Sequence, residues 1–309
     1  IKIAALGNDA GIVGAAPGAT IAGLHSGSDG SGVNISAATE AAYWASGVSG
    51  SGDAVSYLGE AAIQVKNCSF GSVYTAGNSD DRVFAAAVEA TSLNNVIYVF
   101  TAGNERNDGY GGDSGWNSTA SLTNAGIFVA ATDSDGVYAD FSNYGSNIFI
   151  SAPGEDVVST DRTGELGYNT GSSGSSSSTT PDDSTTSTET TPTVANDDYA
   201  AESGTSFASP LVAGVIALGK QVCPVMDSRW AKHALAYSSG HGEAPNIDAV
   251  YDEEIGSWVQ KSGYTTTVTD PETGETTTTT VNSTGDWQQN NGGYWFNNNY
   301  GFGMIDPVG

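Results

Sequence analysis

Val96-Ile97-Tyr98-Val99-Phe100 is an unbroken run of β-branched and aromatic residues with no polar face. A strand of that kind needs apolar cover on both sides, and it follows a segment with helical spacing, residues 82–90. The same alternation recurs through the first third of the chain. Residues 36–45 have helical spacing, and Ile63-Gln64-Val65 leads as a strand into Asn67-Cys68-Ser69-Phe70-Gly71. Thr20-Ile21-Ala22-Gly23-Leu24 reads as a short buried strand, and residues 1–6 as the tail of a helix stopped by Gly7-Asn8-Asp9. Helices alternating with short apolar strands imply parallel βαβ units. The expected fold class is therefore α/β, a three-layer, doubly wound, mostly parallel sheet with helices on both faces. Sites in such sheets lie beyond the carboxyl ends of the strands, which singles out the loops after Leu24, Cys68 and Phe100.

Two stretches break the rhythm. Residues 170–193 hold 17 Ser or Thr among 24 residues with no aliphatic or aromatic side chain, so they cannot contribute to a core. They read as a low-complexity insertion over residues 169–197. Residues 264–281 are Thr-rich on both sides of the turn signal Asp270-Pro271-Glu272-Thr273-Gly274, an added hairpin over residues 262–286. Solvated surface excursions account for both.

Composition excludes some partners. With 9 Lys+Arg against 35 Asp+Glu the formal net charge is −26, so phosphate backbones and anionic lipid surfaces would repel the chain. No run of about 18 apolar residues is present to span a bilayer. Acidity with little Lys suits a protein kept soluble in salty surroundings outside a cell. Two cysteines cannot make a disulfide framework, and whether Cys68 and Cys223 are bridged stays open. Cys68 reads as a small buried hydrophobe.

The densest chemical signal is Ser203-Gly204-Thr205-Ser206-Phe207-Ala208-Ser209-Pro210, which runs into an apolar helix from Leu211 to Leu218. A small-residue turn carries Ser206 onto the first turn of that helix, where free amides and the helix dipole favour developing negative charge. The second signal is Thr101-Ala102-Gly103-Asn104, directly after the strand ending at Phe100. An Asn at a strand end offers a neutral amide donor for an oxyanion.

Gly204-Thr205-Ser206-Phe207-Ala208-Ser209-Pro210 resembles the nucleophile motif of the subtilisin-like serine proteases, the subtilases, and Ala102-Gly103-Asn104 resembles their oxyanion-hole motif. Asn67-Cys68-Ser69-Phe70-Gly71 is similar to the family's cleft strand, and Asp29-Gly30-Ser31-Gly32 to the edge that pairs with substrate. Gly11-Ile12-Val13-Gly14-Ala15-Ala16-Pro17 and Ser151-Ala152-Pro153-Gly154 fall in matching order. Ile97-Tyr98-Val99-Phe100 and Tyr300-Gly301-Phe302-Gly303-Met304-Ile305-Asp306 look closest to the kexin-like branch and its bacterial relatives.

The resemblance implies one peptidase domain over residues 1–309, of which this chain is the carboxyl-terminal majority. It implies acyl transfer with Ser206 and Asn104 as catalytic residues. Gly30, Ser31, Gly32, Ser69, Phe70, Gly71, Thr101, Ala102, Gly103, Ala120 and Thr205 would line the substrate cleft. In the family the catalytic Asp and His precede the Ser, so both are expected upstream of Ile1, and the chain alone is expected to be nearly inert. His25, His233 and His241 read as ordinary surface or boundary histidines. Relatives that cut after basic residues carry a carboxylate where Ala120 falls; Asp108 and Asp113 read as surface carboxylates. The resemblance further implies a structural calcium ion, protein or peptide substrates, a propeptide and export from the cell. The metal ligands are not legible: Asp133-Ser134-Asp135-Gly136 reads as a hairpin turn and Asp252-Glu253-Glu254 as a solvated face. A non-catalytic binding module and an adhesive surface protein are the rival readings, and oligomeric state is open.

Overall fold

A computed structural model describes residues 12–25, 33–51, 54–71, 79–106, 119, 122–161, 199–240, 249–252, 257–260, 264–269, 276–281 and 288–305. Its centre is a parallel four-stranded sheet: β3 (Val65–Cys68), β4 (Ile97–Thr101), β5 (Gly126–Thr132) and β6 (Ile148–Pro153), neighbours in that order. Every residue of β4 and of β5 is buried, as a strand without a polar face requires.

Side-chain alternation sorts those strands onto two cores. Ile97, Val99, Ile127, Val129, Ala131, Ile150 and Ala152 point to one face and meet α3 (Thr205–Val222) and α4 (Ser228–Gly240) through Ala208, Val212, Ala213, Ile216, Ala231 and Leu235. Tyr98, Phe100 and Phe128 point to the other and meet α1 (Ile35–Tyr43) and α2 (Ser79–Ser92) through Ala38, Ala42, Phe84 and Val88. Phe100 stacks on Phe128 at 5.1 Å between ring centroids and meets Phe84 edge-on at 6.3 Å. Helices therefore cover both faces of the sheet.

The helices form where the spacing predicts them. Asn34 caps α1 through Oδ1, which accepts from the Ser36 and Ala37 amides at 3.0 and 3.1 Å. Asp80 and Asp81 sit in the first turn of α2, the end where negative charge is favoured. The carboxyl end of α1 is closed by Lys66 of β3, whose Nζ donates to the carbonyls of Ala41, Ala42 and Trp44 at 2.7, 2.5 and 3.0 Å.

The other strands form separate antiparallel pairs. β1 (Val48–Ser51) pairs with β2 (Ala54–Tyr57), and β7 (Val157–Thr160) with β8 (Tyr199–Glu202), which returns the chain to α3. β9 (Ala249–Asp252) pairs with β10 (Ser257–Gln260), and β13 (Gln288–Gln289) with β14 (Trp295–Phe296). The Thr-rich runs pair as β11 (Tyr264–Thr269) and β12 (Thr276–Val281), with Tyr264 opposite Val281.

One expected strand does not form. Thr20, Ile21, Ala22 and Gly23 are exposed and unpaired. They line a cavity of about 980 Å³ together with Val65, Lys66 and Cys68 of β3, the edge strand of the sheet. Apolar content alone does not make a strand: a ladder partner must lie within hydrogen-bonding reach, and among the described residues this segment has none. The expected helix tail over residues 1–6 and the Ser/Thr-rich stretch over residues 169–197 lie outside the described residues.

Burial lowers the Lys66 pKa to about 8, against a nearby Cys68 that raises it. Its unfolded value is about 10.4, so between roughly pH 8 and 10.4 the unfolded chain binds more protons at this site and stability gains with pH. Urea unfolding of the wild type against Lys66→Met is expected to show the wild type gaining relative stability from pH 8 to 10; a flat difference contradicts this.

Candidate active site

Three strand ends converge on the amino terminus of α3. After β6, the Gly154 carbonyl accepts from the Gly204 amide at 2.8 Å, and Ser203 Oγ accepts from the Asp156 amide at 2.9 Å. Gly154 has to be glycine for this approach, because a Cβ there would lie 2.8 Å from the Ala131 Cβ and 2.9 Å from the Gly204 carbonyl oxygen. The turn so pinned starts α3 at Thr205, with Ser206 next.

After β4, Asn104 meets Thr205. Asn104 Oδ1 accepts from the Thr205 amide at 2.9 Å and from Thr205 Oγ1 at 2.8 Å. A backbone N–H can only donate, so the atom facing it must be the carboxamide oxygen, and the amide orientation is fixed by chemistry. Nδ2 is thereby left as a donor pointing away from Thr205, and a Cβ on Gly204 would lie 3.4 Å from it.

The Thr205 hydroxyl is fully engaged. It gives its proton to Asn104 and accepts from the Gly103 amide at 3.2 Å and from Thr101 Oγ1, which must act as the donor of that pair. Thr205 is fully buried and Thr101 nearly so. One side chain thus ties the last residue of β4, the loop behind it and the first residue of α3.

The loop carrying Asn104 is held on its other side by Asn143, a residue that the sequence reading did not single out. Asn143 Oδ1 accepts from the Glu105 amide at 2.9 Å, and Nδ2 donates to the Ala102 carbonyl at 3.2 Å and to Glu105 Oε2 at 2.7 Å. Gly103 sits at φ +102°, and a Cβ there would collide with the Asn143 amide and the Glu105 carboxylate, so only glycine fits. Arg106 closes the loop between the rings of Tyr138 and Tyr144, at 4.6 and 4.7 Å from their centroids.

After β3, Ser69 meets Ser206 and Ser209. Ser69 Oγ lies 3.0 Å from the Ser206 carbonyl and 3.1 Å from Ser209 Oγ, and Ser206 Oγ lies 3.5 Å from the Ser69 carbonyl. Phe70 is half-buried and Gly71 exposed beside it. The structure therefore brings Ser69, Thr101, Ala102, Gly103, Asn104, Thr205 and Ser206 together. Gly30, Ser31, Gly32, Ala120, Asp108, Asp113 and His241 lie outside the described residues.

Other reactive side chains stand apart. His233 shares a 3.0 Å hydrogen bond with Tyr294 Oη and stacks on Tyr237, and His25 is exposed. Cys68 and Cys223 are both free, and burial pushes the Cys68 thiol up to about 12 even with Lys66 pulling it down. Among the described residues no three His, Cys, Asp or Glu side chains converge to hold a metal. Asp133 Oδ1 accepts from the Asp135 and Val137 amides at 2.9 and 2.8 Å, the work of a turn residue. The described residues supply no ligand set fitted to calcium.

A buried parallel sheet thus delivers a serine to a helix terminus beyond its strand ends, with Asn104 bonded to the neighbouring Thr205. Residues 2–303 match the model of the subtilase family. The chain belongs to the subtilase family. It is 30% identical over 189 residues to the Aeromonas extracellular serine protease of Aeromonas sobria, covering 58% of this chain and 26% of that protein. To subtilisin BL of Lederbergia lenta it is 31% identical over 223 residues, covering 72% of this chain and 61% of that protein. The crystal structure of the Aeromonas sobria serine protease superposes with a TM-score of 0.64 at 25% identity, over 99% of this chain and 50% of that one. The aligned residues span about a quarter of the full length of the Aeromonas sobria relative.

Thiol labelling checks the division between buried and reactive groups. At pH 8 the native protein is expected to react with a disulfide reagent at Cys223, and at Cys68 only after unfolding. Native labelling of Cys68 at the rate of Cys223 contradicts the burial.

Proposed function

We propose that this chain is the carboxyl-terminal majority of a secreted serine endopeptidase domain, with Ser206 as nucleophile and Asn104 in the oxyanion hole. The observation that carries it is the fixed Asn104 carboxamide: Thr205, the residue before Ser206, holds Oδ1 with two donors, which leaves Nδ2 as a donor beside Gly204. The Ser206 amide, one of the first-turn donors that a helix cannot satisfy internally, is the second oxyanion donor.

In this reading Ser206 Oγ attacks the peptide carbonyl carbon as its proton passes to a general base. Asn104 Nδ2 and the Ser206 amide hold the negative oxygen. Collapse breaks the C–N bond, the amine leaves with that proton, and water then releases the acid and regenerates Ser206. Neither His25 nor His233 shares a hydrogen bond with Ser206, so the reading takes the base and its orienting Asp from sequence ahead of Ile1, as the family resemblance implies. Ala120 in the specificity pocket would leave it without a carboxylate and favour neutral over dibasic sites. The extracellular naming of the Aeromonas sobria relative supports export. Where the family's calcium is bound, its chemistry is structural, and no step runs through it.

The test uses the gene product including whatever precedes Ile1. A fluorophosphonate probe is expected to label the wild type and not Ser206→Ala. Asn104→Ala is expected to lower kcat by about 10²–10³ with little change in KM, the size of effect known for the corresponding donor in subtilisin. A wild type that binds peptides but takes up no probe would contradict the peptidase reading and favour a binding module.

A further inference from the structure

The first residue after β3, Ser69, does more than line a cleft. Helix α3 contains Pro210, four residues after Ser206. In a regular helix the Ser206 carbonyl accepts from the amide of residue 210, and proline has none. The nucleophile candidate would therefore sit on a first turn with an unsatisfied carbonyl, in the part of the helix where its backbone has to be most rigid.

Ser69 supplies the missing donor. Its Oγ donates to the Ser206 carbonyl at 3.0 Å. That carbonyl can only accept, so the single Ser69 proton is committed to it. The two lone pairs of the hydroxyl are also used: Asn67 Nδ2 donates to it at 2.9 Å, and Ser209 Oγ, fully buried at 3.1 Å, donates from the next turn position. The Ser69 backbone carbonyl in turn faces Ser206 Oγ at 3.5 Å. Asn67 and Ser69 come from the end of β3, a rigid strand of the central sheet, so the sheet fixes the height of the first turn of α3.

We propose that Ser69 is a positioning residue for Ser206: its hydroxyl replaces the backbone donor that Pro210 removes and so sets where the nucleophile stands relative to Asn104. This rests on the peptidase reading above, and it predicts coupling between two residues that the reading does not need to be coupled. Pro210→Ala restores an amide four residues after Ser206 and makes the Ser69 hydroxyl dispensable.

The experiment is a double-mutant cycle in the gene product including whatever precedes Ile1, with wild type, Ser69→Ala, Pro210→Ala and the double variant. The readouts are the fluorophosphonate labelling rate, kcat and KM on a peptide substrate, and the urea midpoint. Misplacement of a reacting group by a fraction of an ångström is expensive in rate, so Ser69→Ala is expected to slow labelling and lower kcat about tenfold or more while KM changes less than twofold. Ser69→Thr, which keeps the hydroxyl, is expected to recover most of the rate. In the Pro210→Ala background the Ser69→Ala penalty is expected to shrink to about threefold or less. An undiminished penalty in that background, a loss confined to KM, or loss of rate that only tracks the urea midpoint overturns the proposal and leaves the peptidase reading standing. A wild type that takes up no probe overturns both.

Discussion

The structure depends on how a fully buried sheet hands its reactive edge to solvent. A parallel sheet with helices on both faces has nowhere to expose polar side chains except beyond its strand ends, and each strand end leaves backbone groups that need partners. Here the ends of β3, β4 and β6 spend those partners on one place, the first turn of α3. Thr205 is the central connection. Its hydroxyl joins Thr101, Gly103 and Asn104, and its amide completes the pair of donors on the Asn104 oxygen. Without that hydroxyl Asn104 Oδ1 would keep only the Thr205 amide, Gly103 and Thr101 would lose their partner, and the first turn of α3 would be tied to the end of β4 by a single hydrogen bond.

The same economy separates structural from reactive polar groups. Lys66 is buried but closes α1, and Cys68 beside it is held as a thiol by burial. Both face the cavity by β3, and neither shares a hydrogen bond with Ser206. The polar groups gathered at the start of α3 have opposite character: hydroxyls and amides joined in a neutral network through Thr205 and Ser69. Preorganised donors of that kind stabilise negative charge without reorganising when it develops.

Much of this could be read from the chain. Val96 to Phe100 announces a strand covered on both sides, and short motifs single out Ser206 and Asn104, which the fold brings to the start of α3 and the end of β4. What could not be read depends on residues far apart in sequence. Nothing near Asn143 marks it as the clasp of the Asn104 loop, and the Ser69 contact with Ser206 spans 137 positions. Pro210 was visible as part of a motif, yet the carbonyl it orphans gains meaning only when the donor arrives from β3. Thr20 to Leu24 shows the opposite failure. Its apolar residues suggest a strand, but a strand is a property of a pair, and among the described residues it pairs with none.

The central claim is that Asn104 Nδ2 and the Ser206 amide form one prepared oxyanion site. A crystal structure of the gene product, including whatever precedes Ile1, treated with a peptidyl boronic acid tests it most directly. The account predicts boron bonded to Ser206 Oγ, with one boronate oxygen about 2.7–3.1 Å from both Asn104 Nδ2 and the Ser206 amide nitrogen, and Thr205 still on Asn104 Oδ1. A boronate oxygen turned to solvent, with the Asn104 amide rotated off Thr205, would contradict it.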